Sequence, residues 1–255
     1  MAVTAVLAEA ARALLYPPRC VFCGEITRFA RVFYDEENFS KYTCDSCGEP
    51  LEPLSASKTP LCAQCGAENA GAGERCPACA RRETALSGNY ALFLFERRPR
   101  RLVLALKDGE RVEPLLRTVI KGCLDAGRFS GADFLAPVPP WEGRPDHAGL
   151  IARIVSDITG VPALAGVMER VLPPGADKIP EQKRTHPSKR FENALGTVFL
   201  AGRDKNLRKS EILAKGIFLI DDIYTTGGTM NACASVLLEA GAAWAKGFTV
   251  CAARE

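Results

Sequence analysis

The pattern of apolar and polar positions changes character near residue 85. Beyond it, short apolar runs alternate with stretches of helical periodicity. YALFLF (Tyr90–Phe95) reads as a strand. Leu102, Val103 and Leu106, and then Leu115, Leu116, Val119, Ile120 and Cys123, recur at helical spacing. DFLAPVP (Asp133–Pro139) reads as a short strand ended by prolines, and Leu150, Ile151, Ile154, Val155 and Ile158 share a helix face closed by Gly160. TVFL (Thr197–Leu200) and GIFLI (Gly216–Ile220) read as buried strands. Met230–Ala240 reads as a helix stopped by Gly241, and GFTVCAA as a last strand. Strands alternating with helices predict an α/β domain over residues 86–255, a parallel sheet covered by helices on both faces. The polar stretch Pro173–Arg190 is long for a connection in a compact domain and reads as a functional lid or a flexible linker.

Before residue 85 the pattern is different. MAVTAVLAEAARALLY reads as an amphipathic helix. It has no basic residue ahead of its apolar stretch and is interrupted by Glu9, which argues against a secretory signal. No segment of the chain reaches the roughly 18 apolar residues of a membrane helix. The text that follows, with Pro50, Pro53, Pro60 and the small-residue stretch GAENAGAGERCPAC, has little periodicity. A segment of this kind buries little apolar surface, so bound metal has to stabilise it. The expected division is therefore a small cysteine-rich metal-binding region over residues 1–85 and an α/β domain over 86–255.

Composition sharpens this only in places. Hydrophobic residues at 47% and charged residues at 25% are ordinary for a globular chain, and a net charge of +3 is too weak to imply a nucleic-acid partner. The charge is uneven, net −2 over residues 1–85 and net +5 beyond, so a polyanionic ligand is expected on the C-terminal part. Eight of the eleven cysteines form four Cys-x-x-Cys pairs, Cys20/Cys23, Cys44/Cys47, Cys62/Cys65 and Cys76/Cys79. Each pair directs two thiolates at one ion, and zinc takes four ligands in a tetrahedron, so the four pairs suffice for two closed structural sites. Pairing in sequence order is the simplest arrangement and a crossed one is the alternative. Redox-active thiols and iron–sulfur clusters are the competing uses of such pairs. Gly24, Gly48 and Gly66 follow three of the pairs, where a turn takes a permissive residue. Paired spacing without an export signal points to a reducing, cytoplasmic setting.

The densest chemistry lies in IFLIDDIYTTGGT, Ile217–Thr229. An apolar strand runs into Asp221 and Asp222, then a turn rich in hydroxyls and glycines, then a helix. Ligands of open parallel sheets sit at the carboxyl ends of strands. Glycines let a phosphate approach the backbone, successive N–H groups make an anion nest, and the helix directs its positive end at the same spot. Two carboxylates before such a nest suit a ligand that also presents a sugar diol or a divalent cation. The segment resembles the phosphoribosyl pyrophosphate loop of type I phosphoribosyltransferases. That resemblance implies that Asp221 and Asp222 face the ribose hydroxyls and that Thr225, Thr226, Gly227, Gly228 and Thr229 hold the 5-phosphate.

LLYPPRCVFCG, the spaced cysteine pairs, LALKDGER, the Pro-Val-Pro strand end and LIDDIYTTGGT follow one another as in ComF-family proteins, which this chain resembles over nearly its whole length. The resemblance implies a zinc-binding N-terminal region, a phosphoribosyltransferase-like domain, phosphoribosyl pyrophosphate with Mg²⁺ as ligand, and an association with competence. Where the family carries a longer basic loop ending Arg-Gly-Phe-Asn/Asp-Gln/His, this chain reads PVPPWEGRPDHAG. Arg144, Asp146 and His147 fit the ending, with Pro145 in place of Gly-Phe, and His147 reads equally as the first residue of the next helix. Lys107-Asp108-Gly109 resembles the family's Lys-x-x-Gly stretch, one residue shorter, and Arg190 with Asn193 resembles its Arg-x-x-Asn pair. Lys107, Arg144, His147, Lys183, Arg184, Lys189 and Arg190 are thus the candidates for pyrophosphate or lid contacts, with His186 nearby. No single catalytic residue is assigned. Two functions compete. One is a phosphoribosyltransferase of unknown acceptor. The other is a non-catalytic competence or DNA-uptake factor binding single-stranded DNA or a partner protein. For the second, the cluster Arg97, Arg98, Arg100 and Arg101 is either a phosphate contact or a solvated helix start.

Overall fold

The computed structural model describes residues 15, 17–27, 42–69, 71, 74–172, 194, 196–202 and 205–254, the side chains of 205–208 excepted. The expected N-terminal helix, Leu15 apart, and all of Pro173–Arg190 lie outside the described residues. In chain order the helices are α1 (Pro77–Ala80), α2 (Arg97–Lys107), α3 (Glu113–Cys123), α4 (His147–Thr159), α5 (Lys205–Ile212) and α6 (Gly228–Glu239). The strands are β1 (Asn89–Leu94), β2 (Phe134–Pro137), β3 (Met168–Arg170), β4 (Val198–Leu200), β5 (Gly216–Tyr224) and β6 (Trp244–Ala252).

The chain forms two compact units. One comprises residues 1–52 and 96–123, the other residues 53–95 and 124–255. Contacts therefore divide the chain differently from its composition, because the cysteines at 62–79 pack with the sheet. Cys62, Cys65, Ala67, Cys79 and Leu86 share one buried core with Ala91 of β1, Leu219 of β5 and Leu237 of α6.

In the larger unit, four strands run parallel in the order β1-β6-β5-β2. Ile217 and Leu219 turn to the α6 side, into the core that holds Cys233, Ala234 and Leu237. Phe218 turns the other way, against the rings of Phe129 at 4.5 Å and Trp244 at 5.7 Å. Helix α4 packs on β2 and β5. It is capped by Asp146, whose carboxylate accepts from Gly149 N at 2.7 Å, and closed by Gly160 at φ 76°. The two edges of β5 differ in a way that shapes the site. Pairing with β2 ends at Pro137 opposite Ile220, where the prolines that follow remove ladder donors, whereas β6 pairs on to Tyr224. Asp221–Tyr224 thus borders an open crevice at the carboxyl end of the sheet.

TVFL is a correction. It does not join the parallel sheet but pairs antiparallel with β3 in a separate two-stranded sheet. Val198 and Leu200 are buried while Phe199 is 42% exposed, so the apolar run is half-buried in space.

In the smaller unit, α2 buries Leu102, Val103 and Leu106, and α3 buries Leu115, Leu116, Val119 and Ile120, the residues that carried the helical spacing.

Candidate functional site

Two cysteine quartets come together among the described residues, Cys20, Cys23, Cys44 and Cys47 in the smaller unit and Cys62, Cys65, Cys76 and Cys79 in the larger. Within each, all four sulfurs lie within 4.8 Å of one another, so the pairing is sequential. Four thiolates at about 2.3 Å from one zinc ion would stand roughly 3.8 Å apart, and the Cys23–Cys44 sulfur separation is 3.6 Å. With four sulfurs and no open position, each quartet is a structural zinc site.

The two leading knuckles repeat one backbone design. Cys20 N donates to Glu25 O and Gly24 N to Cys20 O, both at 2.8 Å. Cys62 N donates to Ala67 O at 2.8 Å and Gly66 N to Cys62 O at 2.9 Å. Both turns close on a left-handed glycine, Gly24 at φ 80° and Gly66 at φ 75°. Gly48 departs from the expectation. Its φ is −76°, an ordinary helical value, because the Cys44 knuckle closes as a 3₁₀ turn.

The second zinc site is fastened to the sheet and to the candidate phosphate loop. Asn89 Nδ2 donates to Cys65 O and to Thr249 Oγ1, both at 3.0 Å. A Cβ on Gly66 would stand 2.7 Å from Asn89 O, so the knuckle lies directly on β1. Asn231 of α6 accepts from Ala85 N at 2.6 Å and Thr84 Oγ1 at 2.8 Å, and Arg82 donates to Thr226 O at 3.3 Å. Arg82, Asn69, Arg254 and Thr225 also line a pocket of about 310 Å³ beside the quartet, where Arg254 pairs with Glu68.

The segment read as a phosphate loop forms a small concavity lined by Asp221, Ile223 and residues 224–230. β5 runs on through Tyr224, which is buried, its phenol pushed well above the ordinary tyrosine range by desolvation. Gly227 is the N-cap of α6 at φ 77°, and Gly228 N, the first of the helix, donates to Thr226 Oγ1 at 3.4 Å; the other N–H groups of a first helical turn have no intrahelical acceptor. A Cβ on Gly227 would collide with the Tyr224 phenol. Thr225 is exposed, Thr226 buried and Thr229 half-buried. The two acids part company, since successive strand residues face opposite sides. Asp221 lines the concavity and accepts from Asp222 N at 2.8 Å, whereas Asp222 is 7% exposed and is not among the lining residues.

Of the other predicted contacts, Arg144 is exposed in the loop before α4, and His147 is the first residue of α4 behind its Asp146 cap. Lys107 ends α2 in the smaller unit. Lys183, Arg184, His186, Lys189, Arg190 and Asn193 lie outside the described residues. In the arginine cluster, Arg98 donates to Cys47 O at 3.2 Å and Glu49 O at 2.6 Å, bracing the Cys44–Cys47 knuckle of the first zinc site.

One residue had no signal in the sequence. Arg170, on β3, donates to Thr229 Oγ1 at 3.3 Å and lies over the Trp141 ring at 4.1 Å. No periodicity or motif distinguishes Met168–Arg170, and the contact joins residues 59 positions apart.

Residues 11–80 match the family model of the double zinc ribbon domain. No curated protein matches the chain. Among eleven matching solved chains is the crystal structure of purine phosphoribosyltransferase from Pyrococcus horikoshii Ot3, with a TM-score of 0.29 and 16% identity, covering 61% of this chain and 82% of that one. The α/β class itself follows from the parallel order β1-β6-β5-β2. No helix of the described residues is long and apolar enough to cross a membrane.

Proposed function

We propose that this chain is a phosphoribosyltransferase-like protein that binds phosphoribosyl pyrophosphate with Mg²⁺ at the carboxyl end of β5. The observation that carries the reading is the concavity of Asp221–Met230, a helix N-terminus joined to a left-handed glycine and hydroxyl side chains, with one carboxylate among its lining residues. The N–H groups and threonine hydroxyls suit the 5-phosphate, and Asp221 suits a ribose hydroxyl as acceptor. Asp222 is the second ribose candidate by the sequence resemblance, although it is buried and does not line the concavity.

In transfer, the acceptor's lone pair forms a bond to the anomeric carbon. The bond from that carbon to the pyrophosphate oxygen breaks, and the electron pair leaves with pyrophosphate. Mg²⁺, when bound, neutralises charge on that leaving group. The chain's own part is to fix the 5-phosphate and ribose, so that the anomeric carbon is presented to the acceptor, with the Asp221 side chain beside the sugar. No general base among its residues is required for the donor half of the reaction.

Calorimetry of phosphoribosyl pyrophosphate binding, with and without Mg²⁺, tests the reading. Binding is expected, with Asp221→Asn weakening it about tenfold or more through loss of a charged hydrogen-bond acceptor. Wild-type affinity in both Asp221→Asn and Asp222→Asn would remove the assignment. A pyrophosphate-release screen over acceptors then separates a transferase from a protein that only binds the donor.

A further inference from the structure

A cleft of about 830 Å³ is lined by residues 139–143 after β2 and residues 168–172 of β3 and its continuation, and Arg170 links it to Thr229 of the phosphate loop. Arg170 is the one cation among its described lining residues. Its guanidinium is held on two sides, by the Trp141 ring at 4.1 Å and by Thr229 Oγ1 at 3.3 Å. Its Nε is buried and has no hydrogen-bond partner among the described residues. Burial pushes this guanidinium below its ordinary value, against the opposing influence of Cys233 and Asp221. A cation partly withdrawn from water, with one of its N–H groups unpartnered, gains from a ligand that brings anionic acceptors to it. Because Arg170 donates to the Thr229 oxygen, the Thr229 hydroxyl is left with its own proton to donate towards an anion in the loop.

Resting on the ribose-phosphate reading above, we propose that Arg170 is the binding residue for the second anionic end of the donor, its pyrophosphate, and that Trp141 holds the guanidinium in place. A ligand whose 5-phosphate fills the loop carries its other anionic group across the ribose, towards the cleft. The planar fork of an arginine matches phosphate oxygens bidentately. Glu142 and Glu169 line the same cleft, so the anion there is expected to bind as its Mg²⁺ complex.

The full chain is titrated calorimetrically with inorganic pyrophosphate and with ribose 5-phosphate, each with and without Mg²⁺. Arg170→Met is expected to weaken Mg-pyrophosphate about ten- to hundredfold, through lost charge-assisted hydrogen bonds, and ribose 5-phosphate by no more than about threefold. Arg170→Lys, which keeps the charge and most of the volume, should recover part of the pyrophosphate affinity. It serves as the test variant if Arg170→Met melts early. Equal loss of both ligands, or undiminished pyrophosphate binding in both variants, would overturn the assignment. If the wild type binds ribose 5-phosphate but not pyrophosphate, the assignment of Arg170 fails while the ribose-phosphate reading stands. If it binds neither, both fall.

Discussion

At the scale of single residues, the candidate site depends on Gly227 more than on any side chain. Its φ of 77° lies where L-residues are strained, and a Cβ would strike the Tyr224 phenol. Gly227→Ala is expected to destabilise the fold by about 1–3 kcal/mol and to abolish detectable ribose 5-phosphate binding. Thermal melting with a parallel calorimetric titration checks both, and unchanged affinity would show that the loop holds no phosphate. The glycine and the hydroxyls were legible in the sequence because they sit side by side. The separation of Asp221 from Asp222 was not, because it needs to be known that β5 continues through both. A four-residue apolar run gives no sign of a nine-residue strand when two acids interrupt it and its last residues are bordered on one edge only.

At the scale of elements, the second zinc ribbon and α6 are tied together through Asn231. Its carbonyl oxygen accepts from both Ala85 N and Thr84 Oγ1, and the side chain is buried. Asn231→Ala would leave a backbone N–H without its acceptor. It should destabilise the chain by about 2 kcal/mol, lowering Tm by roughly 5 °C. A melting temperature within one degree of wild type would show that water replaces the side chain. β3 and α5 escaped the reading of the sequence for different reasons. β3 is three residues long and its partner is 28 positions away, opposite Met168–Arg170 only at Val198–Leu200. α5, KNLRKSEI, is polar almost throughout and carries no apolar stripe to mark it.

At the scale of the whole molecule, metal and sheet belong to one folding problem. The chain is expected to carry two zinc equivalents, and Cys65→Ser one. Because Cys62, Cys65 and Cys79 share the core of the sheet, loss of that ion should lower the melting temperature of the larger unit and weaken ribose 5-phosphate binding along with it. Elemental analysis, melting and titration on the same Cys65→Ser sample check this. A one-zinc protein with wild-type melting would mean that the ribbon merely rests on the sheet.

The sequence by itself determined the metal chemistry, the α/β class and the position of the candidate phosphate loop. Each of these is written in neighbouring residues: thiol pairs at knuckle spacing, apolar runs of strand and helix period, and a glycine–hydroxyl turn between a strand and a helix. Only the tertiary structure decided that the second zinc ribbon packs with the sheet, since that grouping is made by contacts such as Asn89 with Cys65 and Asn231 with Ala85, far apart along the chain. Tertiary structure alone also brought Arg170 to Thr229 and Trp141. Local sequence constrains backbone conformation, but where a buried charge finds its partners depends on which distant segments the fold brings beside it.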